Sequence, residues 1–169
     1  SPTLMAQPDS FITKNNQKAV WTDFKLAHYE INYDVTAKTA YAVSTIDFVI
    51  SEAGFPVLDF VETASEISIN SKSTTAREIQ VPNGESKVKL IETLLDVGAH
   101  TVVITTPITA GLKFKKNTVE NLFSYLDMRD RNFLERYLPT NFEYDNYKIT
   151  INVSISNTEK VHTVFTNGD

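Results

Sequence analysis

Apolar and polar residues alternate along most of this chain with a period of two. Ala27, Tyr29, Ile31, Tyr33 and Val35 interleave with His28, Glu30, Asn32 and Asp34. That pattern sends one row of side chains into a core and the other into water, as in a half-buried strand. Residues 34–39 supply turn chemistry, and a long second strand is expected over 41–51. Its end is apolar on both phases (Ile46, Phe48, Val49, Ile50), as in a strand buried on both faces or crossing between sheets. Glu52-Ala53-Gly54-Phe55-Pro56 breaks it. Short strands are expected at 57–61, 66–70, 76–81 and 87–91. Pro82-Asn83-Gly84 closes the third of these with a turn in which Gly84 can take positive φ. An apolar turn through Leu94, Leu95, Val97 and Gly98 leads into a strand at 100–106. The cleanest alternation comes last: Ile149, Ile151, Val153 and Ile155 against Thr150, Asn152 and Ser154. Residues 161–166 are expected to pair with it as a hairpin.

One segment departs from this period. Asp127 can cap a helical turn, with Asp130 three residues on, and Phe133, Leu134, Tyr137 and Leu138 then share one helical face before Pro139 stops it. A short helix is expected near 127–138. Residues 1–16 are polar without a sustained period, so residues 1–20 read as a mobile leader and 21–169 as a single domain. The regular spacing of short strands predicts an all-β, multi-sheet, sandwich-like architecture.

The length of 169 residues fits one domain that folds without staples. A net charge of −5 argues against a general nucleic-acid partner. Lys113, Lys115 and Lys116 are the nearest thing to a basic cluster, and read as a solvated edge. The lack of Cys excludes disulfides and thiolate chemistry. No apolar run approaches the roughly twenty residues of a membrane span. The chain opens on Ser1-Pro2-Thr3 without a Met and stops at Asn167-Gly168-Asp169 directly after an expected strand. Both ends are expected of a processed piece cut at a domain boundary. Export or a periplasmic location fits, and the cytoplasm stays open.

Candidate chemistry is sparse. His28, His100 and His162 fall in three different expected strands, none at the i, i+4 spacing that puts two imidazoles on one helix face for a metal. There is no Gly-x-Ser-x-Gly elbow and no glycine-rich phosphate loop. Glu143 and Asp145 would share a face on a strand, as a paired-carboxylate site needs, but an acidic surface loop before a strand is the plainer reading. No catalytic residue and no metal ligand is assigned to this chain.

The order of the pieces carries more. His28-Tyr29-Glu30-Ile31-Asn32-Tyr33-Asp34 resembles an opening Tyr-x-Leu-x-Leu-x-x-Asp strand. Leu94-Leu95-Asp96-Val97-Gly98-Ala99-His100-Thr101-Val102-Val103-Ile104 resembles a Leu-x-x-Gly-x-Asn-x-Leu-x-Ile stretch, and Thr109-Ala110-Gly111-Leu112 the loop after it. Phe123-Ser124-Tyr125-Leu126-Asp127 is similar to a Tyr-Thr-x-x-Glu segment. Arg136-Tyr137-Leu138-Pro139, with Phe142-Glu143-Tyr144-Asp145, resembles Arg-x-Phe-Pro-Cys-Phe-Asp-Glu-Pro, although it has extra residues and lacks the final Pro. Val164-Phe165-Thr166-Asn167-Gly168 is similar to Val-x-Ser-Asn-Gly.

In this order the segments resemble the amino-terminal, saddle-like β domain of the aminopeptidase N-type zinc metallopeptidases, the family that includes leukotriene hydrolase. The resemblance implies a non-catalytic domain forming one wall of the substrate cleft. Zinc would then be held by His-Glu-x-x-His and a later Glu in a catalytic domain of the same parent chain. Neither that motif nor Gly-x-Met-Glu-Asn occurs in these residues. The implied partners are that catalytic domain and the amino terminus of a peptide. The implied contacts are Tyr125, where Gln, Asn or Glu is usual, and Asp127 at the acidic position. Tyr125 as a core aromatic and Asp127 as a helix cap remain the plainer reading. A free-standing β-sandwich that binds carbohydrate or protein is the alternative, and it should display a row of solvent-facing aromatics.

Overall fold

The computed structural model describes residues 8–82, 84, 86–122, 134–141 and 146–165. Among them are thirteen strands: β1 (Ser10–Ile12), β2 (Lys18–Trp21), β3 (Asp23–Asp34), β4 (Thr39–Ile50), β5 (Phe55–Leu58), β6 (Glu66–Ile69), β7 (Lys72–Thr74), β8 (Ala76–Gln80), β9 (Lys87–Ile91), β10 (Gly98–Ile108), β11 (Leu112–Phe114), β12 (Val119–Asn121) and β13 (Lys148–Ser156). They form a six-stranded sheet in the order β13-β3-β4-β10-β6-β7, a five-stranded sheet in the order β1-β2-β5-β9-β8, and a β11–β12 ribbon. The fold is all-β with several sheets, as the alternation predicts.

The long strands β3, β4 and β10 form the backbone of the larger sheet through antiparallel ladders, unbroken between β4 and β10 and shifted in register between Phe24 and Leu26 of β3. Their inward residues Ala27, Tyr29, Ile31, Ala42, Ile46, Phe48, Val102 and Ile104 are buried. They meet Val20, Leu58 and Ile91 of the smaller sheet in one core. The opposite face of the smaller sheet buries Ala19, Val57, Ile79, Val88 and Leu90 beneath Phe11, Trp21 and Phe55. This sheet is therefore apolar on both sides. It also curls, so that its two edge strands, β1 and β8, line one cleft of about 750 Å³. Gly54 lets the chain cross β2 closely: it exchanges backbone hydrogen bonds with Leu95 (2.9 Å each way), and an added Cβ would lie 2.7 Å from Lys18 O.

Strand β13 joins the sheet last and runs parallel to β3 from Lys148↔Leu26 to Ser156↔Asp34. Polar side chains stitch the pair: Asn32 Nδ2 donates to Ser154 Oγ (2.8 Å) and Ser156 Oγ donates to Asn32 Oδ1 (3.2 Å). Asp34 clamps the far end. Its carboxylate accepts from the backbone N–H groups of Ala37 (2.9 Å) and Thr36 (3.0 Å) and from Asn157 Nδ2 (2.6 Å). The Ala37 N–H, helped by Asn157 and Thr36, holds this carboxyl below the ordinary range.

Three expectations are corrected. Residues 10–12 and 18–20, read as part of a mobile leader, lie in β1 and β2, and Ala19 and Val20 are fully buried. Of the short helix expected near 127–138, residues 127–133 lie outside the described residues, and Leu134–Arg136 form a 3-10 turn. Residues 161–165 form no strand, so the hairpin with β13 is absent there; the partner of β13 is β3. Finally, the end of β4 is not buried on both faces, because Asp47 is exposed and Val49 half-buried.

Candidate functional site

Tyr125 and Asp127 fall in sequence between β12 and Leu134, and both lie outside the described residues. Its two flanks are firmly held. On the entry side, Tyr33 OH donates to Asn121 Oδ1 (2.8 Å), and Asn121 Nδ2 donates to Ala110 O (3.2 Å). Burial pushes the Tyr33 phenol up to about 12. Leu122 N donates to Gly111 O (2.9 Å), and Gly111 sits at φ 66°, where an added Cβ would overlap the Leu122 backbone. Only glycine fits that close approach.

On the return side, Tyr29 OH donates to Pro139 O at 2.6 Å inside the core. Asp59 and Thr140 exchange backbone hydrogen bonds (3.0 and 2.8 Å), and Val61 N donates to Glu135 O (2.8 Å). Tyr147 OH meets Thr140 Oγ1 at 3.0 Å, and its ring packs edge-on against Phe24. The described residues on either side of this segment are thus each tied to β3, through Tyr33 and Tyr29. These anchoring residues were missed in the sequence reading, which took Tyr29 and Tyr33 as simple core positions. A signal was available: a tyrosine on a buried face brings a hydroxyl that must find a partner.

The three histidines do not converge. His28, on β3, faces Glu30 (3.5 Å) and Asn152 (3.4 Å). His100, on β10, is held by Asn70 (2.9 Å) and by Asp96 O (2.7 Å), and its ring lies 5.9 Å from that of Phe48. His162 contacts Thr158 (3.0 Å). Among the described residues no group of three or more His, Asp or Glu stands together as a metal site. Glu143 and Asp145 lie outside the described residues.

No family model and no curated protein matches this chain. Solved structures do. A zinc metallopeptidase of the M1 type from Deinococcus radiodurans superposes with TM-score 0.54 at 15% identity, over 80% of this chain and 32% of that one. The leukotriene A4 hydrolase of Saccharomyces cerevisiae superposes with TM-score 0.59 at 10% identity, over 80% of this chain and 24% of that one. The yeast hydrolase bound to bestatin gives TM-score 0.56 at 14% identity over 92% of this chain. The chain has the fold of part of these M1-type enzymes. It spans about a third or less of their length. At these identities the likeness is one of fold. The Deinococcus enzyme is a zinc metallopeptidase; among the described residues of this chain no group of three or more side chains could hold such an ion. No described helix is long and apolar enough to cross a membrane.

Proposed function

We propose that this chain is the non-catalytic amino-terminal domain of a zinc-dependent aminopeptidase, forming one wall of the cleft in which a catalytic domain removes residues from peptide amino termini. The observation that carries this reading is the superposition of 80–92% of the chain on a quarter to a third of M1-type enzymes. The ordered run of sequence segments described above supports it independently. The loop bearing Tyr125 and Asp127 would be this domain's contribution to the cleft, with its flanks fixed by Tyr33–Asn121 and Tyr29–Pro139. Tyr125 can offer a hydrogen bond to a substrate ammonium but cannot neutralise it. Asp127 would supply the negative charge.

An inter-domain face leaves apolar side chains in water when its partner is absent. Leu122 (71% exposed) just after β12, and Val161 and Phe165 (100% and 90%) near the end of the described chain, fit that role. The carbohydrate-module alternative has less support. On the polar side of the large sheet, Tyr41 is the one aromatic among the strongly exposed described residues, and it forms no row.

The gene decides between them. A His-Glu-x-x-His helix encoded within a domain length, roughly 200 residues, after Asp169 supports the proposal. A stop codon or an unrelated domain there refutes it. Stoichiometric zinc, or peptide turnover by the purified 169-residue chain, would equally count against it.

A further inference from the structure

We propose that β13 is a pairing edge through which two copies of this chain join their large sheets, in antiparallel register about Asn152. The inference rests on the geometry of β13 and is independent of the peptidase reading.

Sheet edges in native proteins are short, charged, bulged or covered, because a long free edge recruits another strand. The other edges here follow that rule. β1 and β7 have three residues each, β7 begins with Lys72, and β8 carries Arg77 and Glu78. β13 does not. It has nine residues with an unbroken register against β3, no Pro or Gly, and a single charge, Lys148, at its start. No described strand pairs with its outer side. Ile149, Ile151 and Val153 continue the row of Ala27, Tyr29 and Ile31 on the core side of the sheet, yet they stay 47%, 49% and 38% exposed.

The direction of the backbone groups follows from one hydrogen bond. Val35 N donates to Ser156 O (3.3 Å), so Ser156 turns its backbone toward β3. In a regular parallel ladder the even-numbered residues of β13 do the same. The N–H and C=O groups of Ile149, Ile151, Val153 and Ile155 therefore point outward. A second β13 laid antiparallel about Asn152 sets Ile149 against Ile155 and Ile151 against Val153. Each of these is a pair in which both residues present outward donors and acceptors. The same register sets aliphatic against aliphatic on one face. On the other face it sets Thr150 against Ser154 and Asn152 against itself. It also puts the two Lys148 charges about 27 Å apart at roughly 3.4 Å per residue, beyond the reach of repulsion at physiological salt. A strand that is self-complementary in backbone, side chains and charge is suited to a second copy of itself.

The chain contains no Cys, so one introduced thiol reports the register. Asn152→Cys would face its own copy in a non-hydrogen-bonded pair, with Cα atoms about 4.5 Å apart, within disulfide reach. Ser154→Cys would sit about 14 Å from its copy, beyond that reach. Under mild oxidation, Asn152→Cys should form a covalent dimer at least tenfold faster than Ser154→Cys. In sedimentation at rising concentration the unmodified chain should move from 19.0 kDa toward twice that mass. Ile151→Lys, at an exposed side chain, should keep it monomeric with its circular dichroism unchanged. Equal cross-linking of both cysteine variants, absence of cross-linking in both, or a mass of 19.0 kDa at every concentration would overturn the proposal.

Discussion

β3 and β13 are neighbours with nearly the same sequence pattern, and they end in opposite environments. Both alternate aliphatic or aromatic residues with polar ones, and their apolar rows lie on the same face of the same sheet. Yet Ala27, Tyr29 and Ile31 are at most 3% exposed, whereas Ile149, Ile151 and Val153 are 38–49% exposed. Alternation specifies a strand and assigns its two faces. It does not specify whether anything covers the apolar one. That depends on how far the opposing layer reaches, and here the smaller sheet with its adjoining loops covers β3 but stops short of β13.

The sharpest test of this contrast is to delete the same side chain from each strand, working at a concentration that keeps the chain monomeric. Ile31→Ala should lower unfolding free energy by about 2–5 kcal/mol in denaturant titration, as a buried cavity does. Ile151→Ala should cost less than about 1 kcal/mol, because much of that side chain is already in water. Comparable losses would show that β13 is as deeply packed as β3. Tyr29→Phe should rank next, at about 1–3 kcal/mol, since it strands the Pro139 carbonyl inside the core.

A pH titration probes the same strand through Tyr33. Its folded value, raised to about 12 from 10.0, means that folding favours the neutral phenol. The stability this gives is intact below pH 10 and is lost as pH rises through the window from 10 to 12. Tyr33→Phe should flatten that alkaline limb, even if it lowers stability at neutral pH by removing the bond to Asn121. The smallest effect is expected at Thr106, whose buried hydroxyl has no hydrogen-bond partner among the described residues. Thr106→Val should be neutral, or raise stability by up to about 1 kcal/mol, in thermal unfolding.

Most elements that the sequence revealed are covered on one face only; β9 is the exception, with Ile91 in one core and Val88 and Leu90 in the other. β3, the body of β4, β6, β8, β9, β10 and β13 were all legible as alternation. β1 and β2 were not. They are three and four residues long, and in β2 Ala19 and Val20 are buried on opposite faces of a curled sheet, so no period of two develops. β7, β11 and β12 were hidden by their length of three residues. The parallel partnership of β13 with β3 could not be read locally, because it depends on polar contacts such as Asn32–Ser154 across the whole chain. The expected hairpin took the next apolar run in sequence as the partner instead. Of the candidate site, the sequence offered Tyr125 and Asp127 by resemblance. The ties on either side of that segment became visible only with the acceptors of the Tyr29 and Tyr33 hydroxyls.

The β3–β13 seam also bears on how the molecule is made. Asn32 and Ser154 touch, although 122 positions separate them. At translation speeds of about 5–20 residues per second, the first strand of that seam waits on the order of ten seconds for its mate to leave the ribosome. During that interval the side of β3 that will receive β13 has no strand beside it.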